Sequence, residues 1–300
     1  MGVDLFFVLS GFLITGILLK TKDQKFGSYI GTFYARRVRR LLPPYVVMLL
    51  IVSILFGTYW TRYWYLYLGG MNFLVPFHLQ GMEWIPLWSL AVEEQFYLLW
   101  PIAVFALNPK QLTRCAIGLM ILAPVLRYFC TPLFQQHWAI YMLLPFRMDT
   151  LAAGALIAIV WPNLKEQVSP STITWLGGVL VAVSLASLIA LSKHGSTTYS
   201  NTRIGNLWVY ESTLTIAACL LVLSLVGVGK TVLVFQPLMF LGTISYSVYL
   251  SHLAAIHLSH SVPIAIVGTI GYASFMWFVV EKPILSAHRI QERMKMRVTA

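Results

Sequence analysis

Residues 88–101 read WSLAVEEQFYLLWP, and their reading decides the fold. Two adjacent carboxylates, Glu93 and Glu94, interrupt a run that is otherwise that of a membrane helix. A charged side chain at mid-bilayer costs about 2.5–3.5 kcal/mol even on the lenient insertion scale, so such residues face a polar interior. On a helix, Ser89, Glu93, Tyr97 and Trp100 fall on one stripe and offer a hydroxyl, a carboxylate and a phenol to one cavity. The whole chain agrees with a membrane reading. Of its 300 residues, 58% are hydrophobic and 10% charged, with mean hydropathy +0.76, whereas soluble domains carry about 25% charge. The expected fold is all-α, a polytopic integral membrane helical bundle.

Apolar runs long enough to span lie near 3–19, 43–60, 87–107, 114–131, 147–161, 172–191, 209–228, 237–257 and 262–281, which gives about nine transmembrane helices. The stretch 64–78, WYLYLGGMNFLVPFH, contains Gly69, Gly70 and Pro76 and is expected to be re-entrant or interfacial. Loop charge supports this. If 64–78 does not cross, one side holds 16 of the 21 Lys and Arg residues; if it crosses, the bias vanishes. The positive-inside rule selects the first arrangement. Residue 1 then begins outside, 20–42 and the C-terminus are cytoplasmic, and Trp88, Ser89 and the glutamates enter from the outer side. The domain is expected to span 1–284, with 285–300 a basic cytoplasmic tail. The net charge of +11 is carried by short loops and the tail, as topology demands, so no nucleic-acid partner is expected. Cys115, Cys130 and Cys219 lie in apolar runs and read as small buried hydrophobes. No metal-spaced His/Cys cluster, phosphate loop or nucleophile elbow occurs, so no metal is expected.

Five further segments carry polar residues. FYARRVRRLLPPY (33–45) puts Arg36, Arg37, Arg39 and Arg40 at the cytoplasmic mouth of a helix whose first turn accommodates Pro43 and Pro44. It reads as a topology anchor or as a phosphate site for a donor such as coenzyme A, because the guanidinium fork matches phosphate. GVDLFFVLSGFLITG (2–16) places Asp4 near an outer helix end, and its small residues allow close helix approach. PFRMDTLAAGAL (145–156) starts a helix with Arg147 and Asp149, either paired with each other or lining a polar vestibule. LGTISYSVYLSHLAAIH (241–257) supplies Tyr246, Tyr249 and His252. VVEKPI (279–284) reads as a helix end, Glu281-Lys282, stopped by Pro283.

Taken together and in this order, GVDLFFVLSGFLIT, ARRVRRLLPPY, LWSLAVEEQFYLLWP, FRMDTLAAGAL, LGTISYSVYLSH and VEKP resemble the acyltransferase-3 family, bacterial integral-membrane O-acyltransferases that modify lipopolysaccharide, peptidoglycan and other surface glycans. The resemblance implies transfer of an acyl group, usually acetyl, from cytoplasmic acyl-CoA to a hydroxyl of a cell-surface sugar or glycolipid at the inner membrane. Acyl-CoA is then a co-substrate, with no tightly bound cofactor, and the partners are the bilayer, acyl-CoA and a glycan acceptor. It implies Arg37 and Arg40, with Arg36 and Arg39, as the acyl-CoA site. Glu93 is the key carboxylate, and Asp4, Trp88, Ser89, Arg147, Asp149, Tyr246 and Tyr249 line the acceptor chamber. The family pattern also has one earlier helix bearing a histidine base, so the chain is expected to be N-terminally incomplete; within it, His252 is the substitute base. The alternatives are a transporter or flippase that uses the same buried Glu, Arg and His residues, or an inactive fragment.

Overall fold

A computed structural model describes residues 2–57, 64–74, 76, 86–134, 137–193 and 202–286. Much of the tail, 287–300, lies outside the described residues. The helices, in chain order, are α1 (Gly2–Thr21), α2 (Phe26–Phe56), α3 (Leu87–Ala106), α4 (Pro109–Cys130), the short α5 (Trp138–Met142), α6 (Met148–Gln167), α7 (Pro170–Lys193), α8 (Arg203–Val226), the single-turn α9 (Lys230–Leu233), α10 (Gln236–Ser259) and α11 (Val262–Met276). A π turn, Trp277–Glu281, carries α11 on to Ser286. The described residues contain no strand.

Among the described residues, nine long helices fall on the nine apolar runs. Seven are long and apolar enough to cross a membrane by length and composition. The other two, α3 and α6, are 20 residues each and carry the polar residues of interest. The protein is a multi-pass membrane helical bundle. Between α2 and α3 the described residues form two short 3-10 helices, Trp64–Tyr67 and Met71–Phe73, with Gly69 at φ +95°.

The chain divides into two compact units. The first draws its described residues from Met1–Phe26, Leu68–Leu79 and Trp88–Lys230. Its central contact is α1 against α6. A side chain on Gly11 would collide with the backbone of Leu151, and one on Gly154 with the backbone of Val8. The two backbones therefore touch through paired glycines, the small-residue packing that joins membrane helices where apolar burial gives no advantage over lipid. The buried face of α1 runs Asp4, Phe7, Val8, Gly11, Ile14, Thr15 and Leu18, the i, i+3, i+4 spacing of one helical stripe.

Contacts within this unit fix directions. Asp4 meets Arg147 and Gly11 meets Leu151 and Ala155, so α1 and α6 run parallel. Ser10 meets Glu93 and Thr15 meets Trp100, so α1 and α3 run parallel too. Lys22, just past α1, donates to the carbonyl of Leu107, just past α3. Part of the stretch between α2 and α3 packs beside α3. Gln95 ties that segment to α3, donating to the Gly69 carbonyl (2.7 Å) and to Asn72 Oδ1 (2.9 Å).

The second unit draws on Gly27–Tyr67, Gln80–Leu87 and Thr231–Ala300. Two expectations are corrected here. Helix α2 does not begin at Pro43: it runs 31 residues with both prolines in its interior. Each proline removes a backbone donor, and a membrane helix tolerates this where a neighbour satisfies the backbone. Beside them, Tyr246 donates to the Leu41 carbonyl at 3.1 Å. Pro283 does not stop the last helix either. The π turn ahead of it relaxes the backbone pattern, and Glu281, far from being a solvated end, is buried and accepts a 2.7 Å bond from Ser247 Oγ. The three cysteines are free and half-buried rather than fully buried.

Candidate active site

In the first unit the predicted stripe of α3 meets α1. Glu93 Oε1 accepts hydrogen bonds from both Ser10 Oγ and Tyr97 OH, all buried. Two turns further on, Trp100 Nε1 donates to Thr15 Oγ1 at 2.8 Å, and Ser89 is fully buried one turn earlier. A buried carboxylate is tolerated only where hydrogen bonds or counter-charge replace water, and two hydroxyls do so here. Glu94 lies on another face, against Gly69.

Toward the starts of α1 and α6 lies an ionic network. Arg147 Nη2 donates to Asp4 Oδ1 at 2.5 Å, and the guanidinium stacks over the rings of Phe7, Tyr141 and Tyr210 at 5.6, 5.6 and 4.9 Å. Arg147 and Asp149 thus find separate partners. Asp149 Oδ2 accepts from Arg127 Nη2 at 2.6 Å. Arg127, fully buried, also donates to Glu211 Oε1 (2.5 Å) and to the Phe146 carbonyl (2.6 Å). Glu211 keeps 44% of its side chain exposed, so the network opens outward at this residue. Arg127 and Glu211 were missed from sequence. The signal was present, since each is an ion inside an apolar run, where an ionisable side chain faces the bundle interior or a partner.

The remaining predicted residues lie in the second unit. His252 Nδ1 is 2.7 Å from the Tyr249 carbonyl. A carbonyl only accepts, so Nδ1 carries the proton, and in the neutral ring Nε2 keeps its lone pair. The rings of Tyr249 and His252 lie 5.5 Å apart, while Tyr246 is engaged with α2 as described. Arg36 and Arg40 are exposed, Arg37 and Arg39 partly so. The Arg37 guanidinium lies over the Phe33 ring at 5.9 Å, and Arg40 acts electrostatically on Glu281.

Known proteins bear on this arrangement. A Listeria monocytogenes protein (serovar 1/2a, strain EGD-e), peptidoglycan O-acetyltransferase OatA, is 29% identical over 287 residues, 86% of this chain and 45% of its own length. A Bacillus subtilis (strain 168) protein provisionally named peptidoglycan O-acetyltransferase YrhL is 28% identical over 318 residues, 95% of this chain and 48% of its own. A Staphylococcus aureus (strain COL) protein provisionally named as an O-acetyltransferase is 28% identical over 289 residues, 87% of this chain and 46% of its own. The chain thus spans a little under half the length of these relatives. No solved structure matches it significantly. The family described as Acyltransferase domain matches residues 1–280: the chain is an acyltransferase domain and belongs to the acyltransferase-3 family.

Proposed function

We propose that this domain transfers an acetyl group from cytoplasmic acyl-CoA to a hydroxyl of a cell-wall glycan, with peptidoglycan, the acceptor in its relatives' names, as the acceptor class. The observation that carries the reading is the buried Ser10–Glu93–Tyr97 contact at the crossing of α1 and α3. A carboxylate held by two hydroxyls inside a membrane bundle is a costly feature that packing alone does not require. In the reaction, a base takes the proton of the sugar hydroxyl, the oxygen attacks the thioester carbonyl, and the tetrahedral intermediate collapses to the ester and the coenzyme A thiolate, which takes up a proton. General base catalysis contributes about 10²–10⁴-fold. Glu93 orients and charge-stabilises that base, as a carboxylate does in a triad. In the second unit, taken by itself, the Nδ1 contact of His252 with the Tyr249 carbonyl leaves the Nε2 of a neutral ring with its lone pair. The guanidinium groups of Arg37 and Arg40, with Arg36 and Arg39, hold the coenzyme A phosphates from the cytoplasmic side, where planar forks give paired bonds.

Membrane vesicles containing the protein, given radiolabelled acetyl-CoA and a muropeptide acceptor, should yield base-labile acetyl ester on the glycan. Vesicles with Arg37→Ala and Arg40→Ala together should require at least tenfold more acetyl-CoA for the same rate. No label on the glycan, or an unchanged donor requirement in the double variant, would overturn the donor assignment.

A further inference from the structure

Four aromatic rings form a row beside the buried Arg147 site, and of these the ionic network uses only Tyr141. Trp88, at the start of α3, meets Phe7 of α1 edge-on at 6.3 Å and Tyr141 of α5 at 4.6 Å. Tyr141 lies 6.2 Å from Trp138, which lies 4.5 Å from His137. Trp88, Tyr141, Trp138 and His137 are all partly exposed, while Phe7 is buried. Local structure sets this row. Trp138 and Tyr141 are three apart on α5 and share a face. Ala139 and Ile140, turned the other way, anchor α5 in a core with Leu143, Phe146 and Tyr210. His137 precedes α5, and burial pushes its pKa below the usual imidazole value, so at neutral pH its ring is uncharged and joins the row as an aromatic.

We infer that the row Trp88–Tyr141–Trp138–His137 is a stacking platform for the sugar rings of the acceptor, leading them toward Arg147. The inference rests on the O-acetyltransferase reading above. The C–H bonds on a pyranose face are weakly positive and fit the negative face of an aromatic ring, while hydroxyls at the sugar's rim need hydrogen-bond partners. Both kinds of partner occur here. Tyr141 belongs to the row and also lies under the Arg147 guanidinium. Arg147 is buried, and its Nε–H donates to no acceptor among the described residues, a donor suited to a sugar hydroxyl. Interfacial tryptophans and tyrosines also anchor membrane proteins in the headgroup region. An anchor needs each ring to reach lipid separately. It needs neither ring-to-ring contact nor an end on a buried guanidinium.

The test is binding of the N-acetylglucosamine tetramer to the full chain in detergent micelles, followed by titration calorimetry, together with acceptor and donor KM in vesicles. Trp138→Ala should weaken binding at least tenfold and raise the acceptor KM while the donor KM stays unchanged; Trp138→Phe should restore both to within about threefold. Wild-type-like binding by Trp138→Ala, or no binding by the unaltered protein, overturns the platform. Acetyl transfer that persists with an unchanged acceptor KM in Trp138→Ala overturns the platform and leaves the enzyme reading standing. Tetramer binding that is lost in Trp138→Ala, in a protein that transfers no acetyl group, keeps the platform and overturns the reaction.

Discussion

At the scale of single residues, the first unit separates a hydroxyl-held carboxylate, Glu93, from guanidinium-held carboxylates, Asp4 and Asp149. The distinction sets what substitution should do. Asp4 and Arg147 are both buried, and removing one partner of such a pair costs about 3–5 kcal/mol because the other charge stays uncompensated. Asp4→Asn should therefore lower thermal stability in detergent sharply, while Asp4→Asn with Arg147→Met should recover much of the loss. A double variant as unstable as the single one would show that the pair is not the source. The stripe Ser89, Glu93, Tyr97, Trp100 was legible in sequence because helical spacing alone puts those residues on one face. Their partners were not. Ser10 and Thr15 are ordinary residues of an apolar run, and only the crossing of α1 and α3 gives them a role. Glu281 was misread for a related reason: a charge next to Lys282 and Pro283 has the local pattern of a helix end, and its partner Ser247 lies 34 positions away.

At the scale of elements, the α1–α6 crossing positions much of the polar interior. Its paired glycines bring Asp4 to Arg147, and next to Gly11, on the side of α1 toward α3, lies Ser10. Gly11→Val or Gly154→Val should force the helices apart. Overpacking costs typically about 1–3 kcal/mol, and here the obstruction is backbone, which cannot rotate away. Both variants should lower the melting temperature and reduce acetyl transfer, whereas Gly16→Ala, with open space around it, should change neither. Equal effects at Gly11 and Gly16 would refute the close crossing. The existence of each long helix was readable from apolar runs. Where α2 begins was not, because Pro43-Pro44 has the pattern of a helix start, while a membrane helix also tolerates prolines in its interior.

At the scale of the whole molecule, the distribution of Lys and Arg in the sequence predicts which loops face the cytoplasm. With Cys115, Cys130 and Cys219 replaced by alanine, a single cysteine at Gln24 should react only with membrane-permeant thiol reagents in intact cells, and one at Thr202 with impermeant ones. The reverse pattern would refute the orientation. The central claim, that a carboxylate held inside the bundle serves acetyl transfer to a glycan, is tested most directly by Glu93→Gln, which keeps the size of the side chain and removes its charge. Acetyl ester on cell-wall glycan should fall about 10²-fold or more, with the protein present in the membrane at wild-type level. Wild-type ester content in Glu93→Gln cells would contradict the account.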